Sequence, residues 1–353
     1  MKKLFFIPAT SQLSLPALIT ICSLTLFATT ALAQVDENIS YAQLLKEKKY
    51  AEVERRANTQ LSAQPELAEA LFAKLEVILR LDQDALLDEG IKLADQCVKA
   101  HPDDSKCHEF RGRILFKNVR RSSIIDAIGL YNKVKTEFRK SLDLDPKNIS
   151  ARYHFLQLFL KNNSIIAKSI TTTGEDAKNL IIETYKVLPS IATLLQSNLD
   201  IYDDNLSRAQ AAALAVNPKD NDDAIEIQTK ILHEIASRYI QKKENSLAAK
   251  LYAELVKRYP SSIVAHSQLG RLLQEQNKHQ EAAPVLEKLT QLEPSAQNFY
   301  RLSKSQIVLN DKINANLSLE KSINAAPGLN KKDLQDAQAL VKQIKNSSET
   351  KIN

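Results

Sequence analysis

Residues 263–294 read IVAHSQLGRLLQEQNKHQEAAPVLEKLTQLEP, and this stretch decides the fold. Leu269 and Leu273, then Leu286 and Leu289, recur at the three-to-four-residue spacing that places apolar side chains on one face of a helix. Gly270 and Ala282 are small where two paired helices must approach closely. Pro294 cannot continue a helix and ends the second one.

The scheme recurs on both sides. Upstream come Leu232, Ile235-Ala236, Tyr239, Ala248, Tyr252, Leu255 and Pro260; downstream come Leu302-Ser303, Ala315, Leu319, Ser322 and Pro327. Prolines at 65, 102, 146, 189, 218, 260, 294 and 327 close successive units at intervals of 29 to 44 residues. Fixed periods in this range signal stacked units, because one hairpin alone cannot bury its apolar face. His266, Leu269-Gly270, Leu273, Ala282, Leu286, Leu289 and Pro294 resemble the tetratricopeptide repeat pattern W-x₂-L-G-x₂-Y…A-x₃-F…P. The resemblance implies an all-α fold, a right-handed α-solenoid of antiparallel helix pairs forming a superhelix of the tetratricopeptide type.

Composition agrees. Only six glycines occur, where average usage would give roughly 25, and there is no Trp and no alternating strand pattern closed by Asn-Gly or Asp-Gly. Residues 1–33 are different material: Lys2 and Lys3, an apolar stretch from Leu13 to Phe27, then Ala31-Leu32-Ala33. That order is expected of a cleavable signal peptide with cleavage near Ala33/Gln34. The rival reading, an uncleaved anchor, is disfavoured by Pro16, Cys22 and Ser23, which shorten the apolar span. Residues 34–217 are expected to form an N-terminal array with irregular or inserted repeats, 218–329 a regular C-terminal array, 330–346 a capping helix headed by Asn330, and 347–353 a frayed tail. The expected location is the bacterial periplasm, with no transmembrane segment in the mature chain.

Net charge is +6 over 353 residues; losing Lys2 and Lys3 would leave it near +4, too balanced to indicate nucleic acid. Cys97 and Cys107 flank Pro102 symmetrically. If that proline turns one helix into the next, the two thiols meet; a disulfide and a pair of buried thiols are both open.

Nothing in the chain spells out catalysis. His108-Glu109 and His233-Glu234 begin like a zinc-protease helix but lack its second His, and no phosphate-cradling glycine loop or nucleophile elbow occurs. Asp220, Asp222 and Asp223 resemble part of a calcium loop, yet the turn Gly and the terminal Glu are missing, so they read as a solvated turn in a linker-like stretch. No catalytic residue, cofactor or metal is expected, and the chain is not expected to be an enzyme. From Arg111 to Lys140 nine Lys or Arg face two acids, directly after a stretch rich in Asp and Glu. Such blocks either attract one another between neighbouring repeats or offer an anionic polymer a patch.

The resemblance further implies that the first helix of each pair lines a concave groove. It places Arg113, His233, Ser237, Arg271, Gln274, Tyr300 and Lys304 on that face. The Asn residues of the family's carboxylate clamp are absent, so that specificity is not carried over. The expected function is a non-catalytic scaffold or adaptor of the bacterial envelope, with a protein or peptide partner in the groove and no nucleic acid. The alternative is a ligand-binding accessory for an anionic small molecule or envelope glycan.

Overall fold

A computed structural model describes residues 39–160, 173–218, 221–325 and 327–349; the expected leader at 1–33 lies outside them. The described residues form eight helical hairpins and a final helix. The first four pairs are α1 (Tyr41–Lys46) with α2 (Tyr50–Ala63), α3 (Ala68–Leu81) with α4 (Leu87–Ala100), α5 (Ser105–Val119) with α6 (Ile124–Leu144), and α7 (Ile149–Leu160) with α8 (Thr173–Val187). The next four are α9 (Pro189–Tyr202) with α10 (Leu206–Ala215), α11 (Asp222–Gln241) with α12 (Asn245–Arg258), α13 (Ile263–Glu275) with α14 (His279–Leu292), and α15 (Ala296–Val308) with α16 (Lys312–Asn324). Helix α17 (Lys331–Glu349) closes the stack. The chain is an all-α, right-handed solenoid of antiparallel helix pairs, with no strand among the described residues.

Local chemistry sets the boundaries. Ser262 and Ser295 follow the prolines that end the preceding helices, and their hydroxyls accept from Ala265 and Asn298 backbone N–H groups to open α13 and α15. Several hairpin turns need one left-handed residue, and with glycine scarce the position falls to Lys48, Asp82, Asp204, Lys243, Asn277 and Asn310, all at positive φ. Asn and Asp tolerate that conformation best.

Packing follows from the small positions. A Cβ added to Gly270 would lie 2.4 Å from Leu286 Cδ2, and one added to Gly112 would lie 3.0 Å from the Phe138 ring. Glycine at this site therefore lets the two helices of a hairpin close on each other. Side chains such as Leu286, Leu289 and Phe138 are fully buried there, each contributing about 1.5–3 kcal/mol. The first helices pack side by side, α3 on α5, α5 on α7, α7 on α9, α9 on α11 and α13 on α15, and so build the inner wall of the coil.

The array junction expected at 217/218 is packed through. One apolar cluster includes Val216 and Ala224 on either side of it, and the buried Gln228 amide donates to the carbonyls of Ala213 (2.6 Å) and Val216 (2.7 Å). Asp222 and Asp223 are not a solvated turn. Asn221 caps α11 by accepting from Ala224 N–H at 2.8 Å, and the two aspartates occupy its first turn; Asp220 lies outside the described residues. Asn330 caps α17, accepting from Asp333 N–H at 2.9 Å. That helix runs on to Glu349, three residues past the expected end of the cap.

Cys97 on α4 and Cys107 on α5 form a disulfide across the Pro102 turn, with Cα atoms 5.4 Å apart and both residues fully buried. Closing this loop of ten-residue separation should contribute roughly 2.5–3 kcal/mol by restricting the unfolded chain. Replacing both cysteines by Ala should lower the denaturation free energy by about that amount, and added reductant should destabilise the wild type but leave the variant unchanged.

Candidate interaction surface

The first-helix positions that face the inner wall carry different chemistry in different repeats. Arg113, on α5, is fixed. Its guanidinium pairs with Glu76 at 2.9 Å and Glu109 at 3.2 Å, lies 5.1 Å from the Phe110 ring centre, and leaves its Nε buried without a hydrogen-bond partner. With 13% of its side chain exposed, it is a strut between repeats rather than a free groove contact.

Repeats six and seven gather a polar cluster. The Tyr252 hydroxyl, carried in from α12, stands 2.8 Å from His233 Nδ1, and Ser237 lies one turn further along α11. Burial raises the Tyr252 pKa, while Ser237 and the Arg271 charge oppose the rise. Burial likewise lowers the His233 pKa against a smaller opposing effect of Glu234, since an imidazolium loses more on leaving water than an imidazole. Arg271, half-exposed, is held by Gln268 at 3.1 and 3.2 Å and by Glu275. The fold thus sets His233 against a buried phenol whose pKa also feels the Arg271 charge.

The remaining expected residues do other work. Gln274 donates to the Arg301 carbonyl and to Ser305 Oγ, both at 2.8 Å, and so ties α13 to α15. Tyr300 is buried, not open in the groove: its hydroxyl donates to Asp336 on α17, and burial together with that carboxylate raises its pKa strongly. Lys304 is exposed, with its ammonium 4.1 Å from the Tyr300 ring centre, a cation–π seat that orients the charge without neutralising it.

Most of the basic block pairs internally. Arg111 meets Asp95 (2.9 Å), Lys117 and Arg120 share Asp82, Arg121 meets Asp88 (3.2 Å), Lys135 meets Asp176 (2.7 Å), and Arg139 meets Glu183 (2.6 Å). With Arg113, seven of the nine cations hold acids on neighbouring elements, so the block binds repeat to repeat. Open depressions of about 490 and 590 Å³ lie at turns between hairpins, the first beside His101, Asp104 and Asp145, the second beside Pro65 and His101. No group of three or more His, Cys, Asp or Glu among the described residues could hold a metal, and no described helix is long and apolar enough to cross a membrane.

The fold and this inner wall define a helix-pair repeat scaffold. Residues 264–295 match the tetratricopeptide repeat family, so the chain carries that repeat where its sequence pattern is most regular. No curated protein sequence matches. Among solved structures the chain resembles yeast Tom70 at 16% identity, covering 90% of this chain and 66% of that one, with a TM-score of 0.47. It resembles the Cut9–Hcn1 hetero-tetramer of APC/C at 13% identity, covering 86% of this chain and 54% of that one, TM-score 0.38. It also resembles YrrB, described as a tetratricopeptide repeat protein with an unusual peptide-binding site, at 14% identity over 57% of this chain and 97% of that one, TM-score 0.35. The chain thus spans about half to two thirds of the larger two.

From sequence Tyr252 reads only as a repeat packing residue, not as part of the polar cluster; its hydroxyl, where the repeat pattern has Phe, is the one signal of that role. Because the His233 pKa is lowered on folding, the unfolded chain binds more protons below about pH 6.5. The stability conferred by neutral His233 is therefore present above that pH and erodes as pH falls through the lowered folded value. Urea unfolding at pH 7.5 and 5.5 should show this loss in wild type and a smaller one in His233→Gln.

Proposed function

We propose that the protein is a non-catalytic interaction scaffold of the bacterial envelope, holding a protein or peptide partner along the concave face of its last three hairpins. The observation that carries this reading is the concentration of polar groups there: His233 meets the Tyr252 hydroxyl, Ser237 follows on the same helix, and Arg271 and Lys304 stand at equivalent positions of the next two first helices. Arg271 and Lys304 present two cations on successive first helices, one half-exposed and one exposed. This spacing suits carboxylates or carbonyls displayed along an extended segment, with affinity spread over many modest contacts. The anionic-polymer alternative has less support, because seven of the nine cations between Arg111 and Lys140 already hold internal acids.

The envelope location is our reading of two features. One is the charged, apolar and small-residue order of residues 1–33; the other is the buried Cys97–Cys107 disulfide, of a kind that persists in oxidising compartments.

The groove is tested by charge reversal. Wild-type protein and Arg271→Glu/Lys304→Glu, both verified as folded by circular dichroism, are used to capture partners from envelope extracts. At least a tenfold drop in a specific partner is expected of the variant, and unchanged capture would remove these residues from the site. N-terminal sequencing of the protein from fractionated cells should find Gln34 first, in the periplasmic fraction; a cytosolic product retaining residues 1–33 would overturn the location.

A further inference from the structure

Helix α11 begins two turns earlier than its repeat requires. Aligning Ala236 with Gly270, the small position of the next unit, places the expected helix start at Thr229, whereas the helix starts at Asp222. The added turns are two-faced. Ala224, Ile227, Gln228 and Ile231 are buried, in a helix that packs against α7 and α9. Asp223, Glu226 and Lys230 recur at i, i+3 and i+7 on the other face, and that face points across the coil toward the N-terminal repeats.

Three sets of groups receive it. Glu226 stands 3.5 Å from Arg80 on α3, four repeats earlier. Arg113 and Lys106 on α5 act electrostatically on Asp223, and Arg80 and Arg113 act on Glu226. The Lys230 ammonium, paired with Glu226 at 2.6 Å, lies 5.7 Å from the centre of the Tyr153 ring on α7. Asp223 and Glu226 are open to water at their tips yet walled by the inner face of the coil. Burial, followed by Glu226, raises the Asp223 pKa; Lys230, Arg80 and Arg113 overcome burial to hold the Glu226 carboxyl below its usual range.

We propose that the first two turns of α11 are an internal ligand covering the concave face of repeats two to four, and that a partner reaches this face by presenting a helix with the same acidic pair and distal base. The face is selective for that pattern. Glu76 and Glu109 sit beside Arg80 and Arg113, so a uniform polyanion meets repulsion there, whereas a helix carrying D-x-x-E-x-x-x-K matches cation, cation and aromatic ring in turn. The ionic side of this closure is exchangeable, while Ala224, Ile227 and Gln228 keep the opposite face of the helix in the core. Arg80 and Glu226 keep 35% and 46% of their side chains exposed, and such pairs are weak and screened by salt. The receiving face, on repeats two to four, is distinct from the groove of the last three hairpins, although α11 contributes to both; Asp223 and Glu226 test the first and Arg271 and Lys304 the second.

The test uses a fluorescent, N-acetylated peptide copying residues 217–234, with anisotropy measured against full-length proteins in 50 mM salt. The Asp223→Lys/Glu226→Lys protein, whose own carboxylates no longer occupy the cations of α3 and α5, should bind the peptide at least tenfold more tightly than wild type. Binding should weaken in 500 mM salt, and should be lost for a peptide with Lys at its two acidic positions or when Arg80→Glu is added to the protein. Glu226→Gln, a neutral change at a half-exposed position, repeats the comparison if the double variant does not fold and should show a smaller gain in the same direction. Equal affinity of wild type and both variants, or indifference to peptide charge, would overturn the proposal.

Discussion

The contact between Gly270 and Leu286 shows what the whole molecule rests on. A single added carbon at Gly270 would sit inside the van der Waals envelope of the leucine, so the two helices of that hairpin meet as closely as backbone and side chain permit. That approach buries Leu286 and Leu289 completely, but leaves the outer stripes of each hairpin wet until another hairpin covers them. Stability is therefore a property of the stack, and each interface depends on its neighbours for registry. The large apolar cluster running from Leu115 to Leu302 is the consequence: one seam through consecutive hairpins, with no globular centre.

The acidic and basic blocks serve the same end at the N-terminal side. Repeats two and three are joined by the disulfide at one end of the α4–α5 turn and by Asp82, Asp88 and Asp95 paired with Lys117, Arg120, Arg121 and Arg111 along the edge. Exposed pairs of this kind contribute little each. The separate small clusters there, around Leu71 and Val53, are less extensive than the main seam, so covalent and ionic ties reinforce the thinner part of the core.

How much of this could be read from residues alone depends on what each position does. Units built on Leu, Gly and Ala at fixed spacing were legible, since each type has one packing reason to be there: α13 and α14 begin at Ile263 and His279 as the pattern requires. The start of α11 was not legible. Asn-Asp-Asp serves equally as a turn and as a cap with a first helical turn, and only the burial of Ala224 and Ile227 beneath it selects the second. Groove residues were legible by position and not by partner. Arg113, Gln274 and Tyr300 sit on first helices as expected, but Glu76, Ser305 and Asp336 come from other elements, at sequence distances no local pattern encodes.

The two ends of the inner wall therefore differ in kind. Toward the N-terminus, charges on the concave side are met by charges of the chain itself, so any ligand must replace an existing interaction and gains only the difference. Toward the C-terminus, Lys304 rests on an aromatic face, and His233 meets a neutral phenol; a ligand there forms its ionic contact without first breaking one across the coil. Two faces built from the same repeat can in this way favour partners of different chemistry. The repeat supplies the wall, and the few residues that depart from it, an early helix start and a tyrosine at a packing position, decide what each part of the wall accepts.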